Sequence, residues 1–304
     1  MKFIDLIITI KPSIFSALLK GIVLVVTLLS GCSDINTNTN SLTFTPKYNN
    51  KLLKCFSSFI HQDKKWQYSQ LQFFISEVAV KDNNGQWQVW PLSDNQYQSN
   101  NIALLGEYCQ ASPVKQQAEH QLTQGNWQLS FKQAIDLSTF TQLRFTLGVP
   151  FSFNHQNPLL QTSPLNVPQM FWVWQSGHKF FRLDIEEQIE AANGIDPKDH
   201  WQFHLGSTGC KAPSPLRPPN KTCTNANQTK IIMDMDSKST KPQRIAVDLA
   251  ALFLGLSITK KNSCQSEPDN DNCLVLFEHL GLIASKAQST FKWHDKTSPD
   301  SLSK

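Results

Sequence analysis

From residue 52 onward, apolar and polar residues alternate in short runs separated by turn residues. Residues 71–80 read as a strand, Asn84-Gly85 as a hairpin turn, and residues 86–92 as the returning partner. Residues 102–105 form a short apolar run, and residues 125–131 set Trp127, Leu129 and Phe131 on one face. Residues 143–153 continue as a strand interrupted by Gly148 and Pro150, which predicts a bulge or an edge. A loop carrying Pro158, Pro164 and Pro168 comes next, and then residues 169–175 alternate again. In that predicted strand Met170, Trp172 and Trp174 share one face, while Phe171, Val173 and Gln175 take the other. Ser176-Gly177 turns the chain into a strand at residues 179–185, and an acidic excursion at 186–199 precedes a strand at 201–205. A strand at 229–235, a strand entering a short helix at 245–256, another short helix at 274–280 and a closing run at 291–293 complete the pattern. Many short strands and few helices predict an all-β, single-domain fold, a β-sandwich or barrel with long loops.

The first residues follow a different pattern. Lys11 and Lys20 precede an apolar run at 21–29 that is short for a membrane span and ends in Leu29-Ser30-Gly31-Cys32, the pattern of a bacterial lipoprotein cleavage box. Residues 1–31 are read as a signal peptide, with Cys32 the lipidated first residue of the mature chain; a plain anchor helix with an incidental cysteine is the alternative. Ser33 points to outer-membrane sorting, as in known lipoproteins. Residues 32–50, rich in Asn and Thr, read as a flexible tether, residues 51–294 as the folded domain and residues 295–304 as a disordered tail.

Cysteine and charge narrow the class. Without Cys32, six cysteines remain in an exported chain, an even number that suggests disulfides. Proximity pairs Cys210 with Cys223 and Cys264 with Cys273, leaving Cys55 for Cys109; six cysteines allow about 15 connectivities, so other pairings stay open. The formal net charge is +4, half of it from the first 31 residues, with no run of Lys or Arg, which argues against nucleic acid. There is no GxSxG, HExxH or glycine-rich phosphate loop, so the chain does not read as an enzyme.

What chemistry remains is soft. The thioether of Met170 shares a face with two indoles, and His155 and His204 stand nearby in sequence. Sulfur with imidazole is a ligand set suited to copper, although aromatic strands are more often plain core. His204 has a competing reading as a buried histidine, His155 as a loop histidine, and His200 is a competing ligand. His61, His120, His279 and His294 read as surface residues, and Met233 and Met235 as core. Asp269 and Asp271 near Cys273 lack the glycine and glutamate of a calcium loop.

A wider set of motifs occurs in order: Cys55; Leu71-Gln72-Phe73-Phe74-Ile75-Ser76-Glu77-Val78; Ala103-Leu104-Leu105; Phe145-Thr146-Leu147-Gly148-Val149-Pro150-Phe151; Asn154-His155; and Pro164-Leu165-Asn166. Met170-Phe171-Trp172-Val173-Trp174-Gln175, His204-Leu205-Gly206-Ser207-Thr208-Gly209-Cys210 and Cys223 continue the series. In these the chain, from about residue 52 to 293, resembles the metallo-mystery-pair four-cysteine family, the MbnP-like copper-binding proteins. The resemblance implies a periplasm-facing copper protein encoded beside a di-haem enzyme of the cytochrome c peroxidase/MauG superfamily. It implies that this partner oxidises Trp172 to kynurenine, which then helps to bind copper(I), with Trp174 as a supporting neighbour. It also implies His155 and His204 as imidazole ligands; Met170 joins them on chemistry and facing. His178 departs from the family pattern and is either an added ligand or a plain substitution, and Glu107-Tyr108 makes the run after Leu105 less acidic than usual.

The maturation step makes chemical sense. The indole nitrogen offers only a donor, whereas kynurenine carries an aniline nitrogen and a carbonyl. Imidazole, aniline and thioether are all neutral, which favours copper(I) over calcium or magnesium. Two rival readings are a copper redox enzyme using the same site and a carbohydrate-binding sandwich that stacks sugars on some of the eight tryptophans.

Overall fold

The polar stretch expected to be a tether joins a sheet instead. In the computed structural model, which describes residues 38–109, 123–172, 175–191, 194–214, 216–235, 244–283 and 287–294, Asn38–Tyr48 forms strand β1. Leu42, Phe44 and Tyr48 recur at even spacing along it, and all three are buried. Apolar side chains on one face of a strand need a core, and that requirement overrides the Asn- and Thr-rich composition. The expected signal peptide, the Cys32 lipidation site, Trp174, His120 and the tail at 295–304 lie outside the described residues.

Further strands are β2 (Lys51–Leu52), β3 (Ser58–His61), β4 (Lys64–Asp82), β5 (Trp87–Val89), β6 (Gln98–Ser99), β7 (Ile102–Cys109), β8 (Thr123–Asn126), β9 (Gln128–Asp136) and β10 (Phe140–Leu147). A helical turn, α1 (Phe151–Asn154), leads through a long loop to β11 (Lys179–Ala191), β12 (Gly194–Gly206) and β13 (Thr229–Asp234). The chain closes with β14 (Arg244–Asp248), α2 (Leu249–Leu252), α3 (Asp271–Leu280) and β15 (Phe291–Trp293). The fold is an all-β sandwich.

One sheet runs β15-β14-β1-β2, with β9 also on β1; the larger runs β12-β11-β4-β10-β13, with β3, β5 and β7 on β4. Strand β4 is the organiser. Its first half pairs with β11 and its second half with β10, while β3, β7 and β5 follow one another along its opposite edge. The two sheets meet through edge-to-face aromatics: Phe44 of β1 contacts Phe73 of β4 and Phe145 of β10, with centroids 5.8 and 5.9 Å apart. Phe291 of β15 adds a third edge at 5.5 Å from Phe73.

Three stretches fold differently from their sequence pattern. Strand β10 ends at Leu147; Gly148 takes φ +139° and Pro150 opens α1, so the expected strand to residue 153 stops early. The acidic stretch at 186–199 is not an excursion but belongs to the outer half of the β11–β12 ladder, which runs to the Ala191–Gly194 pair. The described part of 169–175 is not a strand either. Pro168–Met170 is a 3-10 turn, and only Phe171 bridges back to His178, with the Trp172 amide donating to the Gly177 carbonyl at 3.0 Å.

Disulfides join Cys55 to Cys109, Cys210 to Cys223 and Cys264 to Cys273, the pairing that proximity suggested. Met233 is core, as expected, but His61 and His279 are half-buried braces that reach the carbonyls of Leu256 and Leu252 at 3.0 and 2.9 Å. Trp66, Trp90 and Trp201 are buried and Arg144 covers Trp87, so the described tryptophans form no exposed sugar-stacking platform.

Candidate metal centre

Residues 71, 73, 181, 183, 203 and 205 give the core face of the large sheet its apolar side chains, so their neighbours must take the other face. That second face is polar and arranged in rungs. Gly106, Gln72, Arg182 and His204 line up across β7, β4, β11 and β12, and Tyr108, Gln70, Asp184 and Gln202 form the next rung. The loop before β11 roofs these rungs, so Gln70, Gln72, Asp184 and His204 are buried despite their polarity. Arg182 and Lys179 both donate to the Gln169 carbonyl, at 2.6 and 3.1 Å, which ties the roof down.

His204 offers the best-defined candidate donor atom. Its Nε2 lies 2.6 Å from Asp184 Oδ1, and Arg182 grips the other carboxylate oxygen through Nε and Nη2 at 2.8 and 2.5 Å. The His204 pKa is held below the usual histidine range, first by burial and further by Lys179 and Arg182, against the pull of Asp184. Burial pushes the Asp184 pKa up, but the hydrogen bond from His204 and the charge and hydrogen bonds of Arg182 outweigh it, so the pKa is lowered and the carboxylate stays ionised. A neutral imidazole therefore donates Nε2–H to Asp184, and Nδ1 keeps its lone pair. That Nδ1 is buried and has no hydrogen-bond partner among the described residues.

The backbone around His204 is fixed by the loop beyond it. The Cys264 carbonyl accepts from the His204 amide at 2.9 Å, and the Cys264 amide donates to the Gln202 carbonyl at 2.9 Å. Ser266 Oγ accepts from the Gly206 amide and donates to the His204 carbonyl, both at 2.9 Å. The 264–273 disulfide anchors this segment to α3.

Trp172 lies on the same face, one step along β12. Its ring sits against Gly206, where an added Cβ would come 2.5 Å from Cζ3, and Lys179 Nζ stands 6.0 Å from the ring centroid. Met170 is fully buried, with Sδ 3.9 Å from Gln70 Nε2. Thus His204, Trp172 and Met170 occupy one roofed polar layer. Lys179 also belongs to it, and burial, with help from Arg182, brings its pKa down to about 8.

His155 stands in an adjoining cluster. Its Nε2 accepts from Asn154 Nδ2 at 3.1 Å and lies 3.6 Å from Cys223 Sγ. Asn154 Nδ2 also reaches Ser207 Oγ at 3.4 Å, which links this cluster to the end of β12. Cys210 and Cys223 approach His155 closely enough to share an ion, but as a disulfide they offer no thiolate. His178 is fully buried with Nδ1 3.1 Å from the Asn154 carbonyl and Nε2 2.9 Å from the Leu165 carbonyl. His178 sets both ring nitrogens against backbone carbonyls and so braces the roof. Sequence reasoning missed Asp184, Lys179 and Arg182; the alternation of Lys179–Ile185 marked their strand but not their register opposite His204.

Two expectations follow here. Gly206→Ala drives a methyl group into Trp172 and the His178 carbonyl, at a cost of about 1–3 kcal/mol. Urea unfolding reads that cost, and peptide mapping after mild chemical oxidation reads the displaced, more reactive Trp172. Burial also lowers the pKa of His178, the first cause of its shift, as it does for His204. Both rings are neutral in the folded chain at pH values where the unfolded chain takes up a proton. Stability of the metal-free protein is therefore level above about pH 6.5 and falls as the pH drops below it, by at most about 1.4 kcal/mol per pH unit per group. Urea titrations between pH 7.5 and 5 test this, and His178→Gln flattens the slope.

A family model described as MbnP matches residues 37–266. Among solved structures, MbnP from Methylosinus trichosporium aligns with a TM-score of 0.63 at 22% identity, covering 79% of this chain and 87% of that one. At that identity the likeness shows a shared fold. No curated protein matches the chain.

Proposed function

The chain belongs to the MbnP family, which is associated with copper, and we propose that it binds one copper(I) ion at the roofed layer around His204. The observation that carries this reading is the buried, unpartnered Nδ1 of His204, backed through Nε2 by Asp184. A carboxylate on the far nitrogen is the usual way of orienting a histidine toward a metal. The donor set also fits the charge of the ion. Lys179 and Arg182 stand beside a single carboxylate, Asp184, and this layer tolerates a monovalent ion better than a divalent one. Thioether and imidazole are suitable soft donors.

In this reading Trp172 becomes kynurenine through a di-haem cytochrome c peroxidase/MauG-like partner and then supplies an aniline nitrogen beside His204. Met170 contributes its thioether from the roof. His155 joins from the adjoining cluster by releasing the Asn154 amide. The protein is exported, anchored through lipid on Cys32 at the outer membrane facing the periplasm, and serves copper uptake, storage or homeostasis. It is the partner's substrate rather than an enzyme.

The test is the mass of the Trp172 peptide, with copper content, after expression with and without the di-haem partner. Partner-dependent loss of one carbon and gain of one oxygen, together with bound copper(I), supports the reading. Copper bound through an unmodified Trp172 protein reduces the site to its histidines and Met170. Neither modification nor copper in either sample overturns it.

A further inference from the structure

The polar rungs continue past the roof and out to solvent. Beyond Arg182–His204 and Asp184–Gln202, the next cross-strand pair on the same face is Glu186–His200. His200 lies four residues from His204 on one strand, about 13 Å along it. Its side chain is 43% exposed and that of Glu186 36%, so this pair meets water while His204 does not.

From this arrangement we propose a second metal site at His200 and Glu186, which holds a divalent borderline cation such as copper(II) or zinc(II). Three features define it. His200 Nδ1 faces Glu186 Oε1 at 3.9 Å, too far for a hydrogen bond and a gap that an ion with two bonds of about 2 Å bridges. His200 Nε2 lies 2.9 Å from Gln202 Nε2, an amide that can be turned end for end in the same place. With that amide turned so that its oxygen faces the ring, Gln202 accepts Nε2–H and leaves the Nδ1 lone pair toward Glu186, the outer-shell arrangement of metal-binding histidines. Gln67 stands opposite Glu186 on β4 and gives its side-chain amide to the Phe56 carbonyl, so no cation is set against this carboxylate from that strand. Lys64 pairs instead with Glu187 and Asp199.

The ligand chemistry separates this site from the buried one. One imidazole and one carboxylate, with water completing the shell, suit copper(II), zinc(II) or nickel(II), with copper(II) bound most tightly of these. They do not suit copper(I), which prefers the thioether-containing layer around His204. The charge differs in the same sense: among the described residues no Lys or Arg pairs with Glu186, whereas Lys179 and Arg182 crowd the inner layer.

The test uses the untagged, metal-free mature chain, titrated with copper(II) at micromolar protein and read by electron paramagnetic resonance. The expected result is one tetragonal copper(II) signal with nitrogen coupling that His200→Ala removes, Glu186→Gln weakens, and Gln202→Leu weakens by about tenfold. His204→Ala leaves it in place, and circular dichroism confirms that the surface variants fold. A copper(II) signal that survives His200→Ala, one that disappears with His204→Ala, or no signal in the unaltered protein each overturns the proposal. Copper(I) competition on the same samples reads the inner site independently, so failure at one site does not count against the other.

Discussion

Replacing His204 by alanine abolishes tight copper(I) binding and leaves the sandwich folded. Asp184→Asn lowers copper(I) affinity about 10- to 100-fold without removing a ligand. The first effect follows from Nδ1, the buried nitrogen whose lone pair no described neighbour takes. The second depends on tautomer. Asp184 is acceptor-only, so it compels His204 to carry its proton on Nε2. Asparagine can turn its NH2 toward Nε2 instead, which moves the ring proton to Nδ1 and blocks the metal-facing lone pair. Arg182 then loses its charged partner, and the layer gains net positive charge against the incoming ion. The folding cost of His204→Ala is about 1–3 kcal/mol, because Asp184 keeps Arg182 when it loses the imidazole. Competition with a copper(I) chelator under anaerobic, reducing conditions measures both variants. Unchanged affinity in both would mean that copper, if bound, sits elsewhere.

Those expectations rest on residues of unequal legibility in the sequence. The strands of the large sheet could be read directly, because Leu71, Phe73, Leu183 and Phe203 alternate with polar residues and bury on one face. Strand β1 showed the same alternation at Leu42, Phe44 and Tyr48, but its Asn and Thr content read as a tether; composition and period disagreed, and period prevailed. The β11–β12 hairpin, whose ladder runs out to the Ala191–Gly194 pair, was obscured by the acidic composition of residues 186–199.

The candidate site was harder. Met170 and Trp172 were singled out for sharing a strand face, yet Pro168 starts a 3-10 turn and they reach the same layer as parts of a roof. A period-two pattern only predicts facing where the backbone is extended, and a proline at the start of the stretch removes that condition. Asp184 was invisible for another reason. Its role depends on the pairing of Asp184 with Gln202 across β11 and β12, and on the register shifts between Lys179 and Phe181 and between Glu186 and Gln188. No local pattern encodes such shifts. A sequence can therefore name the histidine without naming the carboxylate that sets its tautomer.

Two of the disulfides stand in opposite relation to stability and to the candidate site, and measurement separates them. Removing Cys55–Cys109 by paired serine substitution releases a loop of 54 residues and costs about 4 kcal/mol in the loop-closure account. Removing Cys264–Cys273 releases only 9 residues and costs about 2–3 kcal/mol. For copper the order reverses. Cys55 and Cys109 lie at the Glu107 end of β7, where Cys55 donates to the Glu107 carboxylate at 2.9 Å and Tyr68 also binds it. Among the described residues, the hydrogen bonds of that cluster do not include His204. Cys264 meets the His204 amide directly, and two residues later Ser266 holds the His204 carbonyl and the Gly206 amide under Trp172. Freeing that segment loosens both the ligand and the floor beneath the tryptophan, so affinity falls even in the fraction that remains folded. Urea unfolding alongside copper(I) competition on the two double-serine variants gives the result. The first variant loses more stability and keeps its copper affinity, while the second loses less stability and binds copper more weakly. Equal affinity in both would show that the inward-facing nitrogen of His204 is positioned by Asp184 alone, and that the 264–273 loop contributes only to folding.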